Sequence, residues 1–317
     1  MDVTDAAGEC TAVLDEVQSA VITDRAFLER VLTGILARGH VLFEDVPGVG
    51  KTLTARSLAT ALGLEFSRVQ FTPDLLPSDV TGTNVYNEGD GSFEFAEGPI
   101  FANVVLADEI NRAPPKTQAA LLEAMEERQV TVDGETYQLP EPFFVMATQN
   151  PVEQEGTFAL PEAQRDRFMI KSSMGYPERD GELELLDRRA SRTAQAPSVG
   201  PVVDPATVRD LQQVPESVTV ERKVREYVVD LGRATRMDER VEVGVSPRGI
   251  QRLFEAVRSY ATIAGRDYVV PDDVKQVADA VFAHRLVLTA ESSVRSVSKR
   301  AVLQDVLDRV EVPTVED

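Results

Sequence analysis

The strongest constraint on the fold is the glycine-rich segment Asp45–Thr52, which reads DVPGVGKT. The apolar segment Val41–Phe43 before it predicts a short buried strand, and the pattern of Leu53–Leu62 after it predicts a helix. A glycine-rich turn in this setting is typical of a phosphate-binding loop, because backbone N–H groups at the helix N-terminus point at phosphate oxygens. The full pattern has Gly where this chain has Asp45. The segment therefore predicts a nucleotide site on an α/β fold.

Two side chains of this loop have the chemistry that a nucleoside triphosphate requires. Lys51 would place a positive charge beside the β- and γ-phosphates, and the hydroxyl of Thr52 would ligate Mg²⁺. The residues that we expect to contact the cofactor are Asp45, Val46, Pro47, Gly48, Val49, Gly50, Lys51, Thr52 and Leu53.

Two carboxylates follow a second apolar segment. Val104–Ala107 predicts a buried strand that leads into Asp108 and Glu109. Because ligands of parallel sheets bind at the carboxyl ends of the strands, we expect both carboxylates beside the glycine loop. Asp108 would hold Mg²⁺, mostly through water, and Glu109 would orient and polarise the attacking water.

A third apolar segment, Phe143–Ala147, leads into Thr148, Gln149 and Asn150. We expect Asn150 to hydrogen-bond to the γ-phosphate or the attacking water. An Asn after a strand is also a common turn residue. The order of the three motifs along the chain favours the functional role.

The pattern of the whole chain predicts two domains. Strand-like and helix-like segments alternate over the first two-thirds, which favours a parallel, layered sheet. Stretches 85–95 and 129–137 alternate around Gly-rich or Asp-Gly turns and predict β-hairpins. From Glu178 onward the pattern is helical. We therefore expect a nucleotide-binding α/β domain at 1–176 and a linker with a helical domain at 177–317.

Charge and residue content exclude several functions. The 33 basic and 53 acidic residues give a net charge of −20, which repels nucleic acid at long range. Cys10 is the only cysteine, and His40 and His284 are the only histidines, so thiolate and multi-histidine metal sites are excluded and both histidines are expected to be structural. No apolar run could span a membrane and no signal peptide is visible, so we expect a cytoplasmic protein.

Lysine is scarce among the basic residues. Six are lysines, and the other 27 of the 33 are arginines. An acidic excess with little lysine suits a cytoplasm at very high salt, where screening removes the self-repulsion. A halophilic source is therefore a hypothesis, and an acidic mesophilic protein is the alternative.

Together the motifs resemble the AAA+ ATPases and, more narrowly, their MoxR family. The resemblance extends over nearly the whole chain. Besides the glycine loop, it is carried by Gln70–Gly82, Asp108–Pro115, Ala147–Pro151, Leu160–Phe168 and Ser246–Arg248. It implies an α/β fold with a P-loop AAA+ core, a parallel five-stranded sheet and hairpin insertions, followed by a small all-α lid domain.

The same resemblance implies a homo-oligomeric ring, usually a hexamer, with nucleotide between neighbouring subunits. Arg167 would be the arginine finger that reaches into the neighbour's site. Arg248 would be the second sensor arginine on the lid, acting within its own subunit or across the interface. Arg112 is a further candidate for the interface. Arg165 stands where the family usually has Leu.

The activity that the resemblance implies is hydrolysis of ATP with Mg²⁺ to remodel or mature a client protein, with partners that carry von Willebrand factor A domains. A chelatase-type motor subunit for metal insertion and a nucleic-acid motor or loader would use the same ATP site. A scaffold that binds ATP and barely hydrolyses it is a further alternative, against which Glu109 argues. The predicted hairpins argue against nucleic acid, because they lack Lys and Arg and carry Glu88, Asp90, Glu94, Asp133 and Glu135.

Overall fold

Helices and strands alternate through the first half of the chain in the computed structural model, which describes residues 1–89, 91–151, 157–193 and 197–314. The strands are β1 His40–Glu44, β2 Phe66–Gln70, β3 Gly82–Asn87, β4 Ser92–Glu97, β5 Val104–Asp108, β6 Gln129–Val132, β7 Glu135–Gln138, β8 Phe144–Gln149, β9 Phe168–Ser172, β10 Val241–Val243 and β11 Val287–Leu288. The helices are α1 Val3–Ala20, α2 Arg25–Leu36, α3 Lys51–Ala61, α4 Pro77–Thr81, α5 Pro115–Glu127, α6 Glu162–Arg165, α7 Arg179–Ser191, α8 Pro205–Leu211, α9 Arg222–Met237, α10 Pro247–Ile263, α11 Pro271–Phe282, α12 Ala290–Val294 and α13 Lys299–Arg309.

Five parallel strands form the central sheet in the order β2-β5-β8-β1-β9. Strands β1, β5 and β8 are apolar because both faces of the sheet are covered. The core on one face includes α1, α2, α3 and the helices of the later part of the chain, and the core on the other face includes α5. The parallel five-stranded sheet expected from the sequence is confirmed, and the carboxyl ends of its strands meet at one edge.

Both predicted hairpins are present. Strands β3 and β4 pair from Gly82 opposite Glu97 to Asn87 opposite Ser92, and β6 pairs with β7. The ring of Phe95 stacks on that of Tyr137 with 3.9 Å between centroids, so the hairpins pack side by side. Asp90, which the sequence places in the first turn, lies outside the described residues.

The later part of the chain is helical, as expected for a lid, and it also contains two short strands. Helices α8, α10 and α11 begin with proline, a residue that suits the first helical position. Strands β10 and β11 pair antiparallel, with Val241 opposite Leu288. The lid is therefore not purely α. The division at residue 176 stays a prediction. No helix in the described ranges has the length and apolarity to cross a membrane.

The outer edge of β9 is closed by the lid, which fixes the chain around Arg167. The guanidinium of Arg285 donates to the carbonyls of Asp166, Phe168 and Met169. It also pairs with the carboxylate of Asp166 at 2.7 Å and is only 2% exposed. A sheet edge that presents free carbonyls is thus satisfied by a charged side chain.

Both histidines are buried and form hydrogen bonds that hold the core. Nε2 of His40 lies 3.0 Å from the Met125 carbonyl, and Nδ1 accepts a hydrogen bond from the backbone N–H of Val145. Burial lowers the pKa of His40 to about 4 and that of His284 well below its usual range. The structural role expected for His40 is confirmed.

We predict that neither imidazole ring titrates near pH 6.5 in the folded chain. In the unfolded chain these rings bind protons below pH 6.5, whereas in the folded chain His40 binds a proton only below about pH 4. The free energy of unfolding therefore falls as the pH drops from 6.5 to about 4. His40 alone contributes a loss of about 3 kcal/mol across this range. Because the chain has two histidines, ring NMR signals followed from pH 8 to 5 give the answer directly. A midpoint near 6.5 for either ring would contradict this prediction.

Candidate nucleotide-binding and catalytic site

A cavity of about 400 Å³ lies at the carboxyl ends of β1, β2, β5 and β8. One wall is the glycine loop with the start of α3, and the other consists of polar residues that end the neighbouring strands. Its lining residues are Pro47, Gly48, Gly50, Lys51, Thr52, Leu53, Arg68, Gln70, Asp108, Glu109, Thr148 and Asn150. The fold thus brings together the three motifs that are separate in the sequence.

The glycine loop adopts a conformation that requires its glycines. Gly48 and Gly50 have φ values of +88° and +103°, a region that glycine enters at little steric cost. Helix α3 begins at Lys51 directly after Gly50, so its first N–H groups, which have no partner within the helix, lie at the cavity. Nζ of Lys51 donates to the carbonyls of Asp45 and Val46 at 2.7 and 3.0 Å, and burial lowers the pKa of this lysine.

Asp45 anchors the loop from behind and does not line the cavity. Its buried carboxylate accepts hydrogen bonds from the hydroxyl of Ser173 and the backbone N–H groups of Met174 and Gly175, at 2.5 to 3.0 Å. Val46 and Val49 are also absent from the cavity wall. The other residues expected to contact the cofactor do line it. An aspartate at position 45 therefore ties the loop to the segment that follows β9.

We predict that Asp45→Ala destabilises the fold by about 3 kcal/mol, because three hydrogen bonds to a buried carboxylate are lost and their donors are left unpaired. Chemical denaturation of the variant and the parent measures the difference. Asp180→Ala, at a carboxylate that is 94% exposed, is the matched control and should change stability little. Equal stability of the Asp45 variant and the parent would show that the anchor is unimportant.

The two carboxylates at the end of β5 are held in different ways. Asp108 accepts hydrogen bonds from the Thr148 hydroxyl at 2.6 Å and from Arg68 at 2.6 Å. Glu109 accepts from Nε2 of Gln70 at 2.8 Å and pairs with Arg112 at 3.1 Å. The backbone of Glu109 has a φ of +57°, a strained conformation for a residue other than glycine, and such strain is concentrated at functional sites.

Arg68, Gln70 and Thr148 were not predicted as site residues. Arg68 and Gln70 alternate along β2, and the parallel register pairs Gln70 with Asp108. The hydroxyl of Thr148 donates to Asp108 and accepts from the backbone N–H of Glu109, so it fixes both acidic residues. Two polar residues at alternate positions near the end of a short strand were the available signal in the sequence.

The residues on the cavity wall could coordinate Mg²⁺ only together with phosphate oxygens of a bound nucleotide. Thr52 and Asp108, both on the cavity wall, provide a hydroxyl and a carboxylate, which are hard oxygen donors. The described part of the chain holds no group of three or more His, Cys, Asp or Glu side chains arranged to bind a metal. Magnesium commonly binds through one or two protein oxygens together with substrate phosphates, and these two side chains match that coordination pattern.

Arg167 and Arg248 lie at the opposite edge of the sheet. Phe168, which follows Arg167, pairs with His40 at the amino end of β1, whereas the glycine loop follows the carboxyl end. The strand between them measures about 16 Å. Glu126 on α5 pairs with both arginines, at 3.2 Å from Arg167 and 3.1 Å from Arg248. Neither arginine lines the cavity of its own glycine loop.

The remaining two arginines have distinct surroundings. Arg112 pairs with the carboxylate of Glu109 in its own chain. Arg165 is 3.8 Å from Glu162, and its Nε is buried without a hydrogen-bond partner among the described residues. Nothing in the structure explains an arginine at position 165.

Comparisons with known proteins agree with this geometry. Residues 40–170 match the ATPase family associated with various cellular activities (AAA), and residues 233–306 match the AAA lid domain. The chain is 49% identical to YeaC of Bacillus subtilis, covering 89% of this chain and 88% of that protein. It is 44% identical to chaperone MoxR1 of Mycobacterium tuberculosis, over 95% of this chain and 81% of that one. A crystal structure of an ATPase candidate from Cytophaga hutchinsonii superposes with a TM-score of 0.91 and 40% identity, covering 98% of this chain and 97% of that chain.

The fold and the site together define an AAA+ ATPase. The sheet order, the glycine loop at the end of β1, the acidic pair at the end of β5 and the separate lid are the parts that this class combines. Within this class, the chain belongs to the MoxR family.

Proposed function

We propose that the chain hydrolyses ATP with Mg²⁺ in the cavity between the glycine loop and the acidic end of β5. The observation that carries this proposal is the presence of Lys51, Thr52, Asp108 and Glu109 around one cavity. When bound, Mg²⁺ supplies charge that offsets the negative charge developing on the phosphates.

The chemistry of each residue and its place on the cavity wall support one role in this proposal. Lys51 binds the β- and γ-phosphates, and Thr52 with Asp108 holds the metal. Glu109 orients the attacking water, and Asn150 on the cavity wall contacts the γ-phosphate or that water. The amide of Gln70 hydrogen-bonds to Glu109 and restricts the positions that its carboxylate can take.

We further infer that Arg167 and Arg248 act on the nucleotide of a neighbouring subunit, in a ring that the family resemblance suggests is hexameric. The support is their distance from their own glycine loop and their common partner Glu126. In this arrangement both arginines act across the interface between subunits. For Arg248, the sequence left open whether it acts on the nucleotide of its own subunit or on that of the neighbour.

The proposed process is remodelling or maturation of a client protein, possibilities that the name of the relative chaperone MoxR1 supports. The first hairpin suits contact with a polypeptide, since Val85, Tyr86 and Phe93 expose 52%, 53% and 70% of their surface. A partner with a von Willebrand factor A domain belongs to this proposal. Because both hairpins are acidic, they favour a protein client over nucleic acid.

Replacing Lys51 with alanine tests the site assignment. We expect ATP affinity to fall by about 10- to 100-fold, since a charged contact to phosphate is worth about 1.5–3 kcal/mol. Titration with a fluorescent ATP analogue measures it. Lys275→Ala, at a lysine on α11 outside the cavity, is the matched control and should bind ATP as the parent does. Unchanged affinity in the Lys51 variant would mean that the site is misassigned.

A further inference from the structure

A second cavity, of about 440 Å³, opens at the amino edge of the sheet. It is formed by the turn between α2 and β1, the end of α5, and α10 of the lid. Six arginines and three glutamates line it: Arg38, Arg128, Arg167, Arg248, Arg252 and Arg258, with Glu126, Glu216 and Glu255. We call this the arginine cavity.

The arginine cavity carries an excess of positive charge in a chain whose net charge is −20. Its glutamates are already engaged: Glu126 pairs with Arg167 and Arg248, Glu216 with Arg258, and Glu255 with Arg252. No carboxylate of the described ranges lies within 4.0 Å of Arg38 or Arg128. The wall therefore holds two guanidinium groups whose charge is not matched by an ion pair.

Arg128 lies among like charges. Burial lowers its pKa, and the guanidinium groups of Arg38 and Arg252 lower it further, whereas the carboxylate of Glu141 raises it in part. Positive charge concentrated in a concave surface with low-dielectric walls attracts anions from solution. An anion placed here would relieve a repulsion that the folded chain otherwise sustains.

Arg38 and Arg128 also have the same unusual backbone conformation. Both follow a helix, α2 and α5 respectively, and both have a φ of +54°. Glycine or asparagine normally occupies such positions, because another side chain there costs about 1 kcal/mol or more. Arginine at both positions therefore indicates that the two side chains have a function whose benefit outweighs the conformational cost. The hydrogen bond from Arg128 to the carbonyl of Arg38 brings the two segments together at the cavity.

We propose that the arginine cavity is a second anion site, which binds a compact oligophosphate independently of the glycine loop. Guanidinium groups bind phosphate oxygens through paired N–H donors and keep their charge at every physiological pH. A cavity of this volume admits an anion of the size of inorganic pyrophosphate. The inference goes beyond ATP hydrolysis, since Arg38 and Arg128 lie at the opposite edge of the sheet from Lys51.

The test uses pyrophosphate as the probe and Lys51→Ala as the background, which weakens phosphate binding at the glycine loop. Isothermal titration is done at a protein concentration where light scattering shows monomers. We expect pyrophosphate to bind in this background and its affinity to fall at least tenfold when Arg38→Gln and Arg128→Gln are added. The control carries Arg222→Gln and Arg295→Gln instead, at arginines that are 84% and 72% exposed and lie outside the cavity, and should keep the affinity.

Two results would overturn the proposal. One is no binding of pyrophosphate to monomeric Lys51→Ala, with binding appearing only on assembly, which would assign the cavity to a neighbour's nucleotide. The other is equal affinity for pyrophosphate in the Arg38, Arg128 variant and in the Arg222, Arg295 control. That result would mean that the overall charge of the chain, and not the cavity, determines binding. If the double variant does not fold, Arg38→Gln alone, at an exposed side chain, should still lower the affinity about threefold. Failure of ATP hydrolysis would leave this measurement unaffected, because no turnover is involved.

Discussion

Replacing Glu109 with glutamine will lower ATP turnover by about 10²–10⁴-fold while ATP binding stays close to that of the parent chain. Glutamine keeps the size of the side chain and its contact with Gln70, but it cannot accept a proton from the attacking water. Because Lys51 and Thr52 are untouched, the phosphates should bind as before. Steady-state phosphate release and equilibrium binding of ATP measure the two quantities on the same preparation.

The control is Glu291→Gln, which removes a carboxylate that is 73% exposed on the lid. It should turn over ATP as the parent does. Turnover within tenfold of the parent in the Glu109 variant would mean that another group activates the water. Loss of ATP binding together with turnover would instead point to a structural effect on the strained segment around Glu109.

Replacing Arg167 with alanine will lower turnover by about 10³–10⁵-fold, the range measured for arginine fingers. The reason is that, in the proposed ring, Arg167 of one subunit would stabilise the charge developing on the neighbour's phosphate. ATP binding to each chain should be nearly unchanged, since Arg167 does not line the cavity of its own glycine loop. Phosphate release and ATP binding, measured at a protein concentration that supports assembly, check both statements.

Mixing provides the sharper test of action between subunits. Arg167→Ala and Lys51→Ala are each expected to be inactive alone. In mixed rings, an intact arginine from the Lys51 variant meets an intact loop from the Arg167 variant, so activity should return in part. Mixing Arg167→Ala with the double variant Lys51→Ala, Arg167→Ala is the control and should restore nothing. Failure of the first mixture to recover activity would contradict a role for Arg167 in the neighbour's site.

The sequence predicts the central sheet and most of the nucleotide cavity because their signals are local. Buried parallel strands give continuous apolar runs, and the glycine loop lies directly between β1 and α3. Once strands are parallel, their carboxyl ends meet, so Lys51, Asp108 and Asn150 converge without further information. The same reasoning does not reveal which loop residues face the cavity, and Asp45 turns out to face Ser173 and its neighbours.

Contacts that depend on pairing between distant segments could not be predicted. Arg68 and Gln70 reach Asp108 and Glu109 only because β2 lies beside β5 in that register. Arg248 and Arg167 share Glu126 because the lid packs against the amino edge of the sheet, a docking that no local pattern encodes.

The two short strands of the lid were not predicted because they are very short. Strand β10 has three residues and β11 has two. Alternation over so few positions cannot be told from the apolar spacing of neighbouring helices. Their pairing depends on the helices that bring Val241 opposite Leu288.

In the proposed ring, a neighbouring subunit completes each active site. This is tested most directly by ATP turnover per chain as a function of protein concentration, in high KCl with Mg²⁺ and with Glu109→Gln alongside. If the neighbour completes the site, turnover per chain rises with concentration and then levels off, while the Glu109 variant stays near background. Turnover that is the same at every concentration, in the range where light scattering shows assembly, would contradict this role of the neighbour.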